Sequence, residues 1–230
     1  MTTGLVSEKK LKTLFLTIDD VKVEVAEGAT VLEAAQKAGI YIPTLCYDPD
    51  LAPYGGCRMC IVEIEKMRGL PTSCTTMATE GMVVHTETPA VDRARRTTME
   101  LIMANHNGDC LTCAKNQNCE LQKVARYLGM EEEHFKRLRP RTRVVPIDDS
   151  NPAYIRDMNK CILCGRCWRA CQEITGIDAI DMINRATPRR WAAWATSPSC
   201  CPAARPAGNA SRGVPRARWS GGRAGRSRAR

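Results

Sequence analysis

Thirteen cysteines in a chain of 230 residues are the groups best able to do chemistry, and eleven of them fall into three clusters. Cys46, Cys57, Cys60 and Cys74 have the spacing C-x10-C-x2-C-x13-C. Soft thiolate sulfur donates charge to iron, and a [2Fe–2S] core takes four such ligands. Cys57 and Cys60 come from one tight loop, and Gly55-Gly56 lets the backbone curl close to inorganic sulfide, where amide N–H groups can donate. A zinc ion on four thiolates is the alternative for this group. The second cluster is His106-x3-Cys110-x2-Cys113-x5-Cys119. One imidazole and three thiolates describe a Cys3His zinc site as well as an iron–sulfur site, and the residues alone leave both open. The place of His106, at the end of a helix and four residues before Cys110, favours ligation. His85 and His134 have no cysteine neighbours and read as solvated helix-end residues. The third cluster, Cys161-x2-Cys164-x2-Cys167-x3-Cys171, is the most specific. Three cysteines at that pitch cap one face of a [4Fe–4S] cubane, and the fourth reaches a second cubane. Gln172 stands where the motif ordinarily has proline.

The rest of the composition narrows the class. No apolar run approaches the roughly 18 residues that a membrane span needs. Met1 to Lys12 is polar, without the apolar core of an export signal, so a cytoplasmic location is expected. An odd cysteine count argues against a fully paired disulfide framework, and in a reducing compartment clustered thiols read as metal ligands. Only two Phe are present, so bound inorganic cores are expected to matter as much as aromatic packing. The net charge of +9 is confined to one end. Residues 186–230 hold ten Arg and no Lys, Asp or Glu; without them 24 basic residues face 25 acidic ones. That segment is mostly Ala, Arg, Pro, Ser and Gly, too poor in branched apolar residues to offset its ordering entropy, and reads as disordered.

These clusters need elements to position them. Lys12–Ile18 and Val21–Val25 are β-rich runs around Asp19-Asp20, a hairpin pattern. Thr30 and Glu33 form a capping box opening a helix over Val31–Ala38, which stops at Gly39. Ile61–Glu65 and Met82–Thr86 read as further strands. Val91–Ala104 and Leu121–Leu128 carry helical spacing, with Met99 and Met103 on its core face. Arg93, Arg95 and Arg96 read as a solvated stripe, and Glu131-Glu132-Glu133 as a solvated turn. Trp168, between two cysteines of the third cluster, reads either as a shield against water or as plain packing. The fold class is α+β. Residues 12–90 form a β-grasp [2Fe–2S] ferredoxin-type domain, and 91–135 a small helical His/Cys [4Fe–4S] domain. Residues 136–152 are a linker, 153–184 an incomplete ferredoxin-like [4Fe–4S] segment, and 185–230 the tail.

On these motifs the chain resembles a known family. It is similar to the N-terminal iron–sulfur arm shared by [FeFe]-hydrogenases, NAD-dependent formate dehydrogenase large subunits and the iron–sulfur-chain subunit of NADH dehydrogenase (complex I). Pro43-x2-Cys46-Tyr47-x7-Gly55-x-Cys57-Arg58-x-Cys60 matches the family's [2Fe–2S] signature at each fixed position. The resemblance implies a [2Fe–2S] cluster on Cys46, Cys57, Cys60 and Cys74, then a [4Fe–4S] cluster on His106, Cys110, Cys113 and Cys119. Asp109 to Cys113 and Asn118 to Gln122 are closer to the hydrogenase and formate dehydrogenase versions than to complex I. Asn159-Lys160-Cys161 through Gln172-Glu173 matches the same families, and the likeness is expected to run from about Leu14 to Ile183.

The pattern then breaks. The family's third domain carries two such runs, and this chain has one, so Cys161, Cys164, Cys167 and Cys171 make an incomplete set; one or two further [4Fe–4S] clusters would need the second. Adjacent Cys200 and Cys201 are poor substitutes. Residues beyond about Asn184 read as translated in a shifted frame. Cysteine codons slipped by one base specify Ala or Val, and Ala204, Ala207, Ala210 and Val214 stand at the offsets of Cys161, Cys164, Cys167 and Cys171, with Pro215 following. The alternative is a lineage that lost the cluster and kept a low-complexity tail.

No GxGxxG follows a strand and there is no Walker loop, so the chain is expected to hold no catalytic site of its own. The resemblance implies an electron relay between a flavin/NAD(P)-binding partner and a catalytic subunit or domain. The rival is a zinc-stabilised nucleic-acid-binding or interaction protein with the basic tail as its arm.

Overall fold

The structure, a computed structural model, describes residues 13–106, 110–131, 146–149, 155–183 and 190–193. The chain divides into two compact units. One comprises Met1–Pro43 with Arg58–Ala94; the other comprises Thr44–Cys57 with Arg95–Arg230.

The first unit is built on a hairpin of β1 (Thr13–Ile18) and β2 (Val21–Ala26). Both turn residues take positive φ, 45° at Asp19 and 67° at Asp20, as a two-residue turn matched to strand twist requires. Period-two alternation buries Leu14, Leu16 and Ile18 of β1 against Val23 and Val25 of β2 in register. β3 (Glu63–Ile64) pairs antiparallel to β4 (Val83–His85), and β4 pairs parallel to β1, giving the order β2-β1-β4-β3. β3 is shorter than the strand expected over Ile61–Glu65: Ile61 instead bridges Thr72. His85 lies on β4 and faces Glu65 at 3.6 Å, which corrects its reading as a helix-end residue.

Helix α1 (Val31–Lys37) begins with the expected capping box: Thr30 Oγ1 accepts from Glu33 N–H, and the Glu33 carboxylate accepts from Thr30 N–H. Val31 and Leu32 donate to the carbonyls of Thr76 and Ser73, so the helix start is tied to the loop carrying Cys74. Its orphan donors are thereby satisfied within the fold. Thr30→Ala is expected to cost about 1 kcal/mol. The check is a lowered urea midpoint with an unchanged m-value.

Helix α2 spans Pro89–Ala104, starting two residues before the expected Val91. Thr88 caps it, accepting from Val91 and Asp92 N–H, and Pro89 occupies the first position, where no N–H is needed. Met99 is fully buried, as expected of a core residue. Arg95 is only 2% exposed, so the stripe of three arginines is not uniformly solvated; Arg95 turns inward.

In the second unit, α3 (Glu120–Tyr127) buries Leu121 and Val124 on one face. A 3-10 turn (Met158–Lys160) leads into the third cysteine run. Helix α4 (Arg166–Arg169) follows Gly165 and widens into a π-helical turn over Ala170–Ile174. β5 (Ile180–Ile183) and β6 (Arg190–Ala193) pair antiparallel. β6 lies within the segment read as disordered from residue 185, which corrects that reading for these four residues. The 136–152 linker apart from residues 146–149, His134, Glu132, Glu133, Cys200, Cys201 and the remaining tail lie outside the described residues. Among the described residues, no helix is long and apolar enough to cross a membrane.

Candidate functional site

None of the eleven described cysteines is in a disulfide, and seven of them are buried. In the first unit, Cys60 Sγ and Cys74 Sγ approach to 3.3 Å, held there because Ser73 N–H donates to the Cys60 carbonyl. Two thiolates on one tetrahedral metal with bonds of about 2.3 Å lie roughly 3.8 Å apart, so this pair is close to ligand spacing. Ser73 Oγ is buried beside them without a hydrogen-bond partner among the described residues.

In the second unit, Cys46 and Cys57 face each other across the Thr44–Cys57 loop, with Cys57 N–H donating to Cys46 Sγ at 3.4 Å. Gly55 takes a φ of 65°, and a Cβ on Gly56 would meet the Tyr54 ring at 2.1 Å. Glycine at 55 suits the left-handed turn, and a side chain at 56 would displace the Tyr54 ring.

His106 lies two residues past the end of α2, half-buried, with its N–H on the Met103 carbonyl. Cys110, Cys113 and Cys119 are half-buried on a chain of turns, and the Gln122 side chain grips that loop through Gln117 N–H and Asn116 Oδ1. Cys119 is the N-cap of α3 but makes no capping bond, which leaves its sulfur to other partners.

Cys161, Cys164, Cys167 and Cys171 are all buried, and Trp168, Leu163 and Ile180 pack around them. Leu163 N–H donates to Cys161 Sγ at 3.3 Å. Leu163 and Gly165 have positive φ, as do Arg58 and Gln117 in the other two ligand loops. Left-handed residues of this kind turn successive amides toward one point and make anion-binding concavities, the form that Fe–S sites use. At Gly165 a Cβ would also meet Trp168 Nε1 at 2.9 Å. Trp168 Nε1 is buried with no hydrogen-bond partner among the described residues. Amide donors aimed at sulfur, with unpartnered buried donors beside the thiols, fit the chemistry of an iron–sulfur core.

Among the described residues, no three His, Cys, Asp or Glu side chains converge on a position for a single ion. A polynuclear cluster asks for a wider arrangement, with thiolates on different irons.

Two cations tie the second cysteine segment to the third. Lys160 Nζ donates to the Thr112 carbonyl at 3.0 Å. Arg166 is 8% exposed and makes a fork on Glu120, at 3.1 Å and 2.6 Å. Burial works against the Arg166 charge, but the Glu120 carboxylate, together with Cys164 and Asp48, holds the guanidinium pKa above its ordinary value. Sequence reasoning misses Glu120 and Arg166, and it also misses Tyr54, Arg169 and Glu173. The available signal is a pair of arginines, Arg166 and Arg169, inside a cysteine run that is otherwise apolar.

Cysteines outside any disulfide, with the sulfurs of Cys46 and Cys161 accepting from backbone amides, suit iron–sulfur chemistry. Residues 12–89 match the 2Fe-2S iron-sulfur cluster binding domain. Residues 95–134 match the NADH-ubiquinone oxidoreductase-G iron-sulfur binding region, and 152–195 the ferredoxin-like domain of NADH-quinone oxidoreductase subunit 3. That last match runs past Ile183, the limit expected from the motifs alone. The NAD+-reducing [NiFe]-hydrogenase, in a crystal structure of its H2-reduced state, includes a chain 36% identical to this one. The two superpose with a TM-score of 0.72 over 80% of this chain and 76% of that one. A subunit of the NADH-quinone oxidoreductase of Rhizobium meliloti (strain 1021) is 42% identical over 172 residues, 74% of this chain and 20% of that protein. The HndD subunit of the NADP-reducing hydrogenase of Solidesulfovibrio fructosivorans is 38% identical over 185 residues, 75% of this chain and 30% of its own length. The chain belongs to the family of iron–sulfur subunits of NADH-quinone oxidoreductases and NAD-reducing hydrogenases, and it carries that family's [2Fe–2S] and [4Fe–4S] binding domains. It spans between a fifth and a third of the curated relatives it matches.

Proposed function

We propose that this chain relays single electrons between a flavin/NAD(P)-binding subunit and a catalytic subunit or domain, in the cytoplasm. The observation that carries the reading is the set of unbridged thiols in loops with left-handed residues, where the sulfurs of Cys46 and Cys161 accept from backbone N–H groups. Cys46, Cys57, Cys60 and Cys74 would hold the [2Fe–2S] cluster in a β-grasp domain. His106, Cys110, Cys113 and Cys119 would hold a [4Fe–4S] cluster. Cys161, Cys164, Cys167 and Cys171 would offer a third, incomplete set. When bound, such clusters take up and release one electron at a time, at potentials set by cluster type, hydrogen bonds to sulfur and exposure.

The residues of the chain supply the insulation and the positioning. Cys161, Cys164, Cys167 and Cys171 are buried away from water, and Trp168 packs against the cluster of Cys161, Cys167 and Cys171. Lys160 and Arg166 keep the second and third sets on one scaffold. The experiment is an anaerobic dithionite titration of the reconstituted chain. Stoichiometric uptake, followed by delivery of those electrons to an external one-electron acceptor, is expected. A colourless chain that takes up none contradicts the proposal and returns the zinc-stabilised nucleic-acid reading.

The tail is best explained by a reading-frame slip, which we put after residue 195 because the family match runs that far. Sequencing the gene there tests this: a neighbouring frame without four Cys codons at the offsets of Ala204, Ala207, Ala210 and Val214 overturns it.

A further inference from the structure

The Thr44–Cys57 loop is held by α4 and the turn after it. Arg169 donates from Nη2 to the Cys46 carbonyl and from Nη1 to the Ala52 carbonyl, the latter at 2.7 Å. One turn on, the Glu173 carboxylate accepts from Ala52 N–H at 2.7 Å. The same guanidinium sits 5.0 Å over the Tyr54 ring, whose centroid lies 5.9 Å from that of Trp168 in an edge-on arrangement. Side chains from the third cysteine run and from the turn just after it, Arg169 and Glu173, therefore fix both backbone polar groups of Ala52 on the first ligand loop.

Arg169 is 2% exposed, and its Nε has no hydrogen-bond partner among the described residues. Its partners there are two carbonyls and an aromatic face, with no carboxylate. A buried charge without a counter-ion is costly, so an anion is expected beside it. Two ferric irons, two sulfides and four thiolates sum to a dianion, and one added electron makes it a trianion. A cluster held on Cys46 supplies that anion next to the carbonyl that Arg169 grips.

We infer that Arg169 is a positioning residue for the [2Fe–2S] cluster, which locks the Cys46 loop and whose fixed charge raises that cluster's reduction potential. The inference rests on the cluster assignment proposed above. Reduction adds negative charge, so the guanidinium stabilises the reduced form more than the oxidised one. Glu173, which grips the same loop through Ala52 N–H but carries the opposite charge on a more exposed side chain, acts in the opposite sense and more weakly. A purely structural clamp predicts something different, because losing either residue loosens the same loop and moves the potential in one direction for both.

The test is a redox titration of the full reconstituted chain, followed by EPR of the reduced [2Fe–2S] signal at a temperature where the [4Fe–4S] signals are broadened away. Arg169→Gln is expected to lower the reduced-to-oxidised ratio at fixed potential about tenfold, ~59 mV for a one-electron couple. Glu173→Gln is expected to raise the ratio by about twofold to threefold, being screened by solvent. Arg169→Lys, which keeps the charge, is expected to stay within about twofold of the unsubstituted chain. Shifts of the same sign in Arg169→Gln and Glu173→Gln overturn the inference, as does Arg169→Lys moving as far as Arg169→Gln. If Arg169→Gln fails to retain its irons, Glu173→Gln and Arg169→Lys decide: a fall in Glu173→Gln, or a large fall in Arg169→Lys, overturns it. An unsubstituted chain without any [2Fe–2S] signal overturns the cluster assignment itself, an outcome distinct from an unshifted potential.

Discussion

Replacing Cys60 with Ala is expected to remove about two irons and two sulfides per chain while the irons assigned to His106, Cys110, Cys113 and Cys119 remain. The reason lies in how the Cys60–Cys74 pair is held. The two sulfurs are 3.3 Å apart because Ser73 bonds the Cys60 carbonyl and, through Leu32, the start of α1. Removing one thiolate leaves the pair unable to share a metal. Cys113→Ala gives the complementary loss of about four irons. Ligand binding to metal is also folding free energy, so each variant unfolds at a lower temperature than the loaded parent. Iron and sulfide analysis with the EPR signals of the reduced proteins checks both. Equal loss of all iron from either variant would mean that the two sets are not separate sites.

Glu120→Ala is expected to destabilise the second unit by about 2–3 kcal/mol, somewhat less than breaking a fully buried pair costs. Arg166 is buried and held by two charge-assisted bonds, whereas Glu120 is 46% exposed, so part of the attraction is screened. The loss comes mostly from leaving a guanidinium buried without its carboxylate. Arg166→Met should therefore be milder than Glu120→Ala, since it removes the charge along with its need for a partner. Adding Arg166→Met to Glu120→Ala should recover stability. Urea unfolding of the four proteins of this cycle measures the coupling. Additive losses would show that the fork contributes nothing between the two cysteine segments.

Local features of the fold are readable in the sequence where one or two residues dictate geometry. Asp19-Asp20 marks the hairpin because Asp tolerates left-handed φ, and Thr30 with Glu33 marks the start of α1. Cysteine spacing names the ligand candidates for the same reason, because ligands for one core must lie close along the chain or return to it. Burial set by distant partners is not readable. Arg95 looks solvated beside Arg93 and Arg96, yet turns inward. Arg169 reaches Cys46 across 123 residues, and Arg166 reaches Glu120 across 46. No local pattern encodes such pairs, which depend on tertiary packing. Strand β6 escapes notice because Arg190-Trp191-Ala192-Ala193 sits in a composition typical of unstructured tails, and its pairing with β5 overrides that bias. The grouping of the Thr44–Cys57 loop with the later cysteine segments also follows from long-range contacts, those of Arg169, Glu173 and Trp168.

Iron, zinc and acid-labile sulfide per chain, measured after anaerobic purification and reconstitution, test the central claim most directly. About six irons with matching sulfide are expected, two from the Cys46, Cys57, Cys60 and Cys74 set and four from the His106 set. Zinc in place of iron, with no sulfide, would contradict the relay altogether.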